Sequence, residues 1–489
     1  MTHGELAHLD AVAALRAFRS LELSPVELLD AVADQADRVN GDRETGINAF
    51  TETFLDEARA EAQRAATTYL RAARNDEPTA PLLGVPVATK EKHNLAGKRI
   101  EQGLAAHAGR VAAADHPVVE RIRRAGGIIH ARTTTPEFSC ATVTHSPMWG
   151  VTRNPWNLAT TPGGSSGGSG AALAAGMTTL ATASDIAGST RVPAAFTGTV
   201  GYKAPYGRVP GLPPLSADWY RGDGPMARTV ADTALLASVM SGQHPTDHTS
   251  WGPQGVPIGL PEDPVAALRG TRVGLSVRLG DFSVDPGVEA ATVDMATRLE
   301  QAGAVVVPLD LPWTCDQVLR TILAHFGHIL APAMERESGG VDTLATYAQR
   351  FIADARRAAE RTTLLDSLAL DAAMQRELAE AMAEIDVLLC PTNAVTALDA
   401  DGDYLDGIDI ADRHHDHYWL SHLTSPFNVA NRCPVLSVPG GRAENGVPIG
   451  VQVVGHPHQE QRVFHVAAAA EALTPELPWP TLTPPVERR

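Results

Sequence analysis

Two serines 24 positions apart, Ser165 and Ser189, and a lysine upstream of both, Lys90, are the residues of this chain best suited to chemistry. A serine hydroxyl cannot attack a carbonyl group at neutral pH unless a base removes its proton. A lysine in an apolar run can become such a base, because burial disfavours its charged form. Two serines flanked by glycine and this lysine can therefore supply a nucleophile, a proton relay and a base without any histidine.

The first of these serines lies in the stretch richest in glycine and serine, Thr161–Gly170. A phosphate-binding P-loop needs Lys followed by Ser or Thr after its last glycine, and Ala171 stands there instead. The stretch also contains G-x-S-x-G, which would make Ser166 the nucleophile of a strand-to-helix elbow. The residues before it, Asn154–Pro162, favour a loop over a strand, so the elbow is the weaker alternative.

The composition disfavours several classes of protein. The chain has 489 residues, 44% of them hydrophobic, and its formal net charge of −17 disfavours contact with nucleic acid or an anionic membrane. It contains neither a signal peptide nor a membrane-length apolar run of about 18 residues, so we expect a cytoplasmic protein. Its four widely spaced cysteines match no zinc or redox pattern, and we expect no metal and no cofactor.

Hydrophobic periodicity predicts an α/β fold that follows a helical N-terminal segment. Helical spacing covers the first 75 residues, and short apolar runs bounded by Gly or Pro then alternate with helical periods. Val85–Thr89 is predicted as the strand that leads to Lys90, and Thr179–Ala183 as the strand before Ser189. We expect a helical segment over residues 1–75, a single catalytic domain over 76–475 and a C-terminal tail over 476–489.

Several segments together carry a family resemblance. They are Gly84–Lys90, Arg153–Asn157, Pro162–Gly168, Asp185–Pro193, Val200–Lys203, Tyr206–Arg208, Gly224–Val230 and Gly450–Gly455. On these segments the chain resembles the amidase signature family of serine hydrolases over about residues 5–475, most specifically over 84–230. The resemblance implies an α/β/α sandwich around a large mixed β-sheet. It also implies a small amide-like substrate, and it makes a homodimer the candidate assembly.

The resemblance assigns roles to individual residues. It makes Ser189 the nucleophile, Lys90 the base, and Ser165 the relay, with a cis peptide bond to Gly164. The oxyanion hole falls on backbone N–H groups of the turn, those of Ile186, Ala187, Gly188 and Ser189. Asp185 and Arg191 are expected to brace this turn, and the candidate pocket residues are Ser139, Cys140 and Trp219.

The sequence departs from the family pattern at two places. Ala187 stands where glycine is usual, which would add strain of about 1 kcal/mol if that backbone needed a positive φ. Glu91 and Lys92 follow the base where Asp and Asn are usual. Lys92 could lower the pKa of Lys90 or pair with Glu91 at the surface, and a solvated Lys92 is the favoured interpretation. The tract His414–His417 is interpreted as a polar loop rather than a metal site.

These residues predict an amidohydrolase that cleaves the C–N bond of a primary or aryl amide, a carbamate (urethane) or a hydrazide through an acyl-enzyme on Ser189. Two alternatives stay open. The glutaminase subunit of a tRNA-dependent amidotransferase uses the same triad within a larger assembly, against which the net charge of −17 argues. A non-catalytic binding member is the other alternative, against which the intact Lys90, Ser165 and Ser189 argue.

Overall fold

One mixed β-sheet of eleven strands runs through the computed structural model, which describes residues 3–481. Two short hairpins stand apart from it. The strands are β1 (Phe50–Thr53), β2 (Pro86–Lys90), β3 (Ile128–Thr133), β4 (His145–Ser146), β5 (Gly150–Val151), β6 (Leu180–Asp185), β7 (Val200–Lys203), β8 (Gly222–Ala227), β9 (Arg272–Leu275), β10 (Val305–Pro308), β11 (Val387–Pro391), β12 (Ile408–Ile410), β13 (Arg413–His415), β14 (Val435–Arg442) and β15 (Pro448–Gly455).

Helices cover the large sheet. They are α1 (His3–Ala7), α2 (Ala11–Arg19), α3 (Pro25–Val39), α4 (Leu55–Asn75), α5 (Pro117–Arg124), α6 (Gly167–Ala174), α7 (Arg191–Thr197), α8 (Val230–Met240), α9 (Pro286–Gln301), α10 (Cys315–His328), α11 (Leu330–Glu337), α12 (Thr346–Arg361), α13 (Leu364–Ala381), α14 (Pro426–Val429) and α15 (Glu460–Leu473). Two large apolar clusters separate the helices into groups: α10–α13 contribute to one, and α2, α3, α5, α8 and α15 to the other. The predicted α/β fold with a large mixed sheet is confirmed. Within residues 3–481, no helix is long and apolar enough to cross a membrane.

The order of the strands places the carboxyl ends of β2 and β6 and the start of β8 next to one another, at the same edge of the sheet. The strands run in the order β1-β3-β2-β6-β8-β7-β14-β15-β11-β9-β10. Because β2 and β6 are parallel neighbours, the last residues of both, Lys90 and Asp185, lie at the same edge of the sheet. The antiparallel partner of β6 is β8, whose register sets Asp223 opposite Ser184. This edge is where the predicted site residues meet.

The glycine-rich stretch is partly helical, although its composition favours a loop. Helix α6 begins at Gly167, and its first turn packs against neighbouring backbone and threonine side chains. A Cβ atom at Gly167 would lie 2.3 Å from Thr144 Oγ1, and one at Gly168 would lie 2.4 Å from Thr134 Oγ1. Glycine therefore serves here to let a helix approach its neighbours closely.

The N-terminal segment contains more than helices. Strand β1 pairs antiparallel with β3 and forms an edge of the large sheet, so the prediction of helices alone over residues 1–75 was wrong there. The boundaries of the predicted domains stay a prediction. The predicted tail at 476–489 falls partly outside the described residues, and within them Trp479 stacks on His8 with ring centroids 4.5 Å apart.

Candidate functional site

Lys90 ends strand β2 and lies fully buried in a cluster of hydroxyl groups. Its Nζ atom is hydrogen-bonded to Ser165 Oγ at 2.7 Å and to Ser166 Oγ and Ser184 Oγ at 2.9 Å. Burial lowers the pKa of Lys90 well below its usual range, and the charge of Lys92 lowers it further. Lys90 is thus suited to act as a neutral amine that accepts a proton.

The peptide bond between Gly164 and Ser165 is cis, in agreement with the family resemblance. Gly164 packs tightly against backbone, since a Cβ atom there would lie 2.5 Å from the carbonyl oxygen of Val143. Ser165 and Ser166 are both fully buried. Both hydroxyls contact the same amine, so hydrogen bonding to Lys90 does not by itself distinguish these two serines.

Ser189 lies in the tight turn between β6 and α7, and a backbone hydrogen bond connects this turn to the glycine-rich segment. The N–H of Ser166 donates to the carbonyl oxygen of Ser189 at 3.1 Å. Ser189 lines a cavity at this edge of the sheet and is 9% exposed, whereas Lys90 and Ser165 are completely buried. A small molecule in the cavity would therefore meet Ser189 before the other two residues.

The backbone N–H groups of the turn before Ser189 differ in what they bind. The N–H of Gly188 donates to Asp185 Oδ1 at 2.8 Å, so it is engaged in holding the turn. Within residues 3–481, the N–H groups of Ile186, Ala187 and Ser189 donate no hydrogen bond. All three residues line the cavity. Three of the four predicted oxyanion donors are thus available to a substrate oxygen.

The positive φ of this turn falls on Gly188 rather than on Ala187. Gly188 has a φ of +131°, and a Cβ atom there would lie 2.0 Å from Thr424 Oγ1. Ala187 is absent from the described non-glycine residues with positive φ, so alanine causes no strain of that kind at this position. The turn therefore needs glycine at position 188, one residue after Ala187, where the sequence departs from the family pattern.

A buried ion pair supports the turn. Arg191 donates to both carboxylate oxygens of Asp185 at 2.9 Å. Burial by itself would raise the pKa of Asp185, but Arg191 outweighs that effect and holds it at about 2. Arg191 also donates to Gln452 Oε1 at 2.7 Å and to the carbonyl oxygen of Thr424 at 2.9 Å. The arginine therefore connects the nucleophile turn to β15 and to the segment before α14.

The cavity in front of Ser189 is small and uncharged. Its volume is about 10 Å³, which is room for about one water molecule. Of the candidate pocket residues, Ser139 and Cys140 line it, and Trp419 and His422 complete the wall. No Asp, Glu, Lys or Arg of the described chain is part of this wall. Burial lowers the pKa of His422 to about 3, so this histidine is neutral at pH 7.

The remaining candidate pocket residue, Trp219, lies outside this wall. Its Nε1 atom donates to Asp371 Oδ2 at 2.9 Å, and the neighbouring Tyr220 hydroxyl donates to Asp371 Oδ1 at 2.5 Å. Trp219 thus attaches the loop before β8 to helix α13. Cys140 does belong to the wall, but burial raises the pKa of its thiol, which keeps the sulfur protonated and weakly nucleophilic.

Lys92 is not a solvated lysine paired with Glu91, and that interpretation was wrong. Its Nζ atom lies 2.8 Å from Asp223 Oδ1, and its side chain is 14% exposed. His93 Nε2 contacts the same oxygen at 3.0 Å, and His116 Nε2 lies 3.5 Å from Asp223 Oδ2. Ligand atoms of the two histidines and Asp223 lie within 4.8 Å of one another, a spacing that a metal ion could bridge. The Lys92 ammonium already neutralises this carboxylate.

The histidine tract shows no convergence of its imidazoles. His414 Nδ1 contacts Asp409 Oδ1 at 2.7 Å in the exposed hairpin of β12 and β13, whereas His415 Nε2 contacts Ser283 Oγ at 2.9 Å. His417 lies 3.6 Å from Asp354 of helix α12. The three side chains bind three different elements, which agrees with a structural role.

Several residues of the site were missed by the sequence analysis, among them Ser184 and Trp419. Ser184 supplies a third hydroxyl to Lys90. It directly follows the predicted strand Thr179–Ala183, and a parallel pairing of that strand with the one that ends at Lys90 would have indicated its position. Trp419 closes the cavity from a segment with no motif, packed on Phe326 and Phe351 at centroid distances of 5.6 and 5.4 Å. Nothing in the sequence around Trp419 indicates this placement.

A family model described as amidase matches residues 27–464 of the chain, which includes every residue of this site. The chain belongs to the amidase signature family. This membership places the protein among enzymes that act on amides.

Curated relatives of similar identity carry two different functional names. A glutamyl-tRNA(Gln) amidotransferase subunit of Synechococcus sp. (strain CC9605) is 34% identical over 484 residues, with 92% of this chain and 93% of the relative covered. Acylamidase of Rhodococcus erythropolis is 32% identical over 488 residues, with 97% of each chain covered. The amidase signature family therefore includes both relatives, although their names describe two different reactions.

Solved structures show the same fold. A bacterial aryl acylamidase of the amidase signature enzymes superposes with a TM-score of 0.84 at 24% identity, over 96% of both chains. A 6-aminohexanoate cyclic dimer hydrolase complexed with substrate gives a TM-score of 0.80 at 27% identity, over 98% of this chain and 99% of the other.

Proposed function

We propose that the protein hydrolyses the C–N bond of a small amide-like molecule with an uncharged acyl group, through an acyl-enzyme on Ser189. A primary or aryl amide, a carbamate and a hydrazide all fit this chemistry. The observation that carries the proposal is a fully buried lysine next to a serine at a cavity. Lys90 is hydrogen-bonded to Ser165 Oγ at 2.7 Å, and Ser189 lines the neighbouring uncharged cavity.

The first half-reaction uses the low pKa of Lys90. The neutral amine accepts the proton of Ser165 as Ser165 takes the proton of Ser189, and Ser189 Oγ then attacks the carbonyl carbon. When the tetrahedral intermediate collapses, the proton returns through Ser165 to the leaving nitrogen. The C–N bond breaks, and ammonia or an amine departs from the ester on Ser189.

The second half-reaction repeats the relay with water. Water gives up a proton through Ser165 to Lys90 and attacks the ester. As this second tetrahedral intermediate collapses, Lys90 returns that proton through Ser165 to Ser189, which releases the carboxylic acid and restores the Ser189 hydroxyl. In both halves the substrate oxygen gains negative charge, which the free N–H groups of Ile186, Ala187 and Ser189 can stabilise. Each such donor contributes about 3 kcal/mol to transition-state stabilisation in enzymes where it has been removed.

The amidotransferase subunit is the second candidate function, and the name of a curated relative supports it. Free glutamine carries an ammonium and a carboxylate, and burying either group without a partner is costly. The cavity wall at Ser189 offers no charged side chain of the described residues to pair with them. An uncharged acyl group is therefore the better match to this wall.

A substrate panel tests the proposal on the full chain without any other subunit. We expect anilides and primary amides of short acyl groups to be hydrolysed with kcat/KM at least ~100-fold above that of glutamine, because glutamine must bury two charges. Acyl length is varied in the same panel. Because the cavity at Ser189 has room for about one water molecule, any acyl group must displace part of its wall, and kcat/KM should decline as the acyl group lengthens.

Release of ammonia from glutamine alone, or activity that needs added partner subunits and tRNA, would favour the amidotransferase function instead. Absence of turnover across anilides, primary amides, carbamates and hydrazides would favour the binding-only member.

A further inference from the structure

A second cavity, of about 270 Å³, lies beside the Lys92–Asp223 pair. Its walls come from the segment after β2, the loop before β8 and helix α11. Among the described residues, none lines both this cavity and the one at Ser189. The volume is close to the lower end of the range for small-molecule sites, about 300–1,000 Å³.

Positive charge predominates in this cavity, although the whole chain carries a net charge of −17. Its charged lining consists of the four cations Lys92, Arg110, Arg221 and Arg336 and the two carboxylates Asp223 and Glu337. Burial lowers the pKa of the two histidines in the lining, His107 and His116, so both are neutral at pH 7. The lining therefore has more positive than negative charge.

Three of these cations already have carboxylate partners. Lys92 lies 2.8 Å from Asp223. At the rim, Arg110 and Arg336 share Glu337 at 3.3 and 3.4 Å. Two carboxylates thus face three cations, and the fourth cation has no carboxylate partner within the lining.

Arg221 is that cation. Its side chain is 13% exposed, and the carboxylate within reach, Asp218 Oδ2, lies 4.0 Å from Nε. The other oxygen of Asp218 is bound to His325 Nε2 at 2.7 Å. Arg221 donates no side-chain hydrogen bond to any residue between 3 and 481, and its Nε atom is buried without a hydrogen-bond partner. A largely buried guanidinium that is held by one long ion pair keeps donors for an oxyanion ligand.

We infer that this cavity binds the carboxylate of a small organic acid, with Arg221 as its bidentate donor and Lys92 as the second cation. The amide side chains of Asn94 and Gln102 line the same space and can hydrogen-bond the carboxylate. The rest of the wall is apolar and matches an organic body rather than a bare ion; it includes Phe138, Leu212, Leu215 and Leu330.

Occupation of this site would act on the base of the proposed reaction, a consequence that rests on the proposed role of Lys90. The charged groups that influence Lys90 are Lys92, Asp223, Asp185 and Arg221, and the two cations lower its pKa. A carboxylate bound between Lys92 and Arg221 would offset both positive charges and raise the pKa of Lys90. The acid limb of the kcat/KM profile would then move to higher pH when the organic acid is present.

Calorimetric titration of the full chain with benzoate tests the site directly and needs no turnover. We expect Arg221→Gln to weaken benzoate binding at least ~10-fold, because it removes a desolvated, bidentate charge pair. Arg336→Gln is the matched control, since it removes the same charge from an arginine that is 71% exposed at the rim of the same cavity. This control should change the affinity less than about 3-fold.

Inorganic phosphate, titrated at matched ionic strength, distinguishes an organic acid from a free anion. Benzoate should bind more tightly than phosphate, because phosphate leaves the apolar wall unused. Tighter binding of phosphate, no measurable binding of benzoate, or equal losses in the Arg221 and Arg336 variants would each overturn the inference.

Two further variants test whether misfolding of Arg221→Gln, or binding of benzoate at Ser189, explains the result. If Arg221→Gln fails to fold, Arg221→Lys keeps the charge but loses the planar fork, and it should still weaken benzoate by about 3-fold or more. Trp419→Ala changes the wall at Ser189 without touching the second cavity. Benzoate affinity that responds to Trp419→Ala and not to the Arg221 variants would place benzoate at Ser189 and overturn the inference.

Discussion

At the scale of single residues, the serines around Lys90 differ in position, and position is what favours one of them as the nucleophile. Ser165, Ser166 and Ser184 are all hydrogen-bonded to the Nζ atom of Lys90 and are at least 95% buried. Ser189 lies on the cavity wall. The commoner sequence motif favours Ser166 as nucleophile, whereas the family resemblance and the exposure of the side chain both favour Ser189.

Replacement of Ser189 and Ser166 separates the two candidates. We expect Ser189→Ala to lower kcat by at least ~10³-fold, because it removes the proposed nucleophile. Ser166→Ala should lower kcat by less, since it removes one of three hydroxyls around Lys90 and leaves the relay in place. Steady-state kinetics on an anilide measures both, and equal losses would contradict the assignment.

The charges next to Lys90 predict pH shifts of opposite sign. Lys92 lowers the pKa of Lys90, and Asp223 raises it. The proposed mechanism needs neutral Lys90, so it predicts that activity rises as the pH passes the pKa of Lys90. Lys92→Met should raise that pKa and move the acid limb of kcat/KM to higher pH. Asp223→Asn should lower it and move the limb to lower pH.

Lys92→Met and Asp223→Asn both break the Lys92–Asp223 ion pair, so comparing their pH profiles controls for the loss of that contact. A purely structural effect of losing the Lys92–Asp223 contact would move the two pH profiles in the same direction. Lys98→Met, which removes a lysine paired with Glu57 away from the site, should leave the profile unchanged. Shifts of one sign in both variants would show that these charges do not act through Lys90.

At the scale of elements, the turn between β6 and α7 fixes the geometry of the site. Its glycine requirement lies at position 188, where a Cβ atom would overlap Thr424. The free N–H groups lie on both sides of that glycine, at Ala187 and Ser189. A change at Gly188 should therefore disturb the oxyanion donors and the nucleophile together.

Alanine and glycine exchanges at neighbouring positions test this turn. Gly188→Ala should lower kcat at least ~100-fold, because the methyl group would lie 2.0 Å from Thr424 Oγ1 and φ is +131°. Ala187→Gly is the matched control and should keep kcat within about 10-fold, since Ala187 has no positive φ. Thermal melts of both variants separate loss of activity from loss of fold. A greater loss at Ala187 would contradict the account.

Local patterns in the sequence predicted the strands that carry the site, but not what packs against them. Val85–Thr89 and Thr179–Ala183 are strands with ends shifted by one or two residues, because apolar runs between glycines and prolines are a local signal. Asp223 lies 131 positions from Lys92, and the register of β6 with β8 is what brings it there. Such a pairing has no local signal.

At the scale of the whole molecule, one buried carboxylate of the core binds the backbone at the start of the N-terminal helix α2. Asp232 of helix α8 accepts the N–H of Ala11 at 2.7 Å and that of Val12 at 2.9 Å, which satisfies the first turn of α2. The partners are more than 200 positions apart along the chain. This contact supports the prediction that residues 1–75 pack on the catalytic domain.

Removal of that carboxylate should loosen the N-terminal segment. Asp232→Ala leaves two N–H groups without acceptors, so we expect the free energy of unfolding to fall by about 2 kcal/mol or more. Urea denaturation measures this loss, and limited proteolysis should cut earlier within the first 40 residues. Asp34→Ala, at an exposed carboxylate on α3, should change the free energy by less than about 0.5 kcal/mol. Equal effects would contradict the proposed attachment.

The central claim, an acyl group carried on Ser189, is tested most directly by acid-quenching the enzyme during turnover of an anilide and measuring its intact mass. The account predicts a mass increase equal to the acyl group, located by peptide mapping on Ser189 and absent from Ser189→Ala. Turnover with the acyl group on Ser166 or Cys140, or with no acyl-enzyme even under single-turnover conditions, would contradict it.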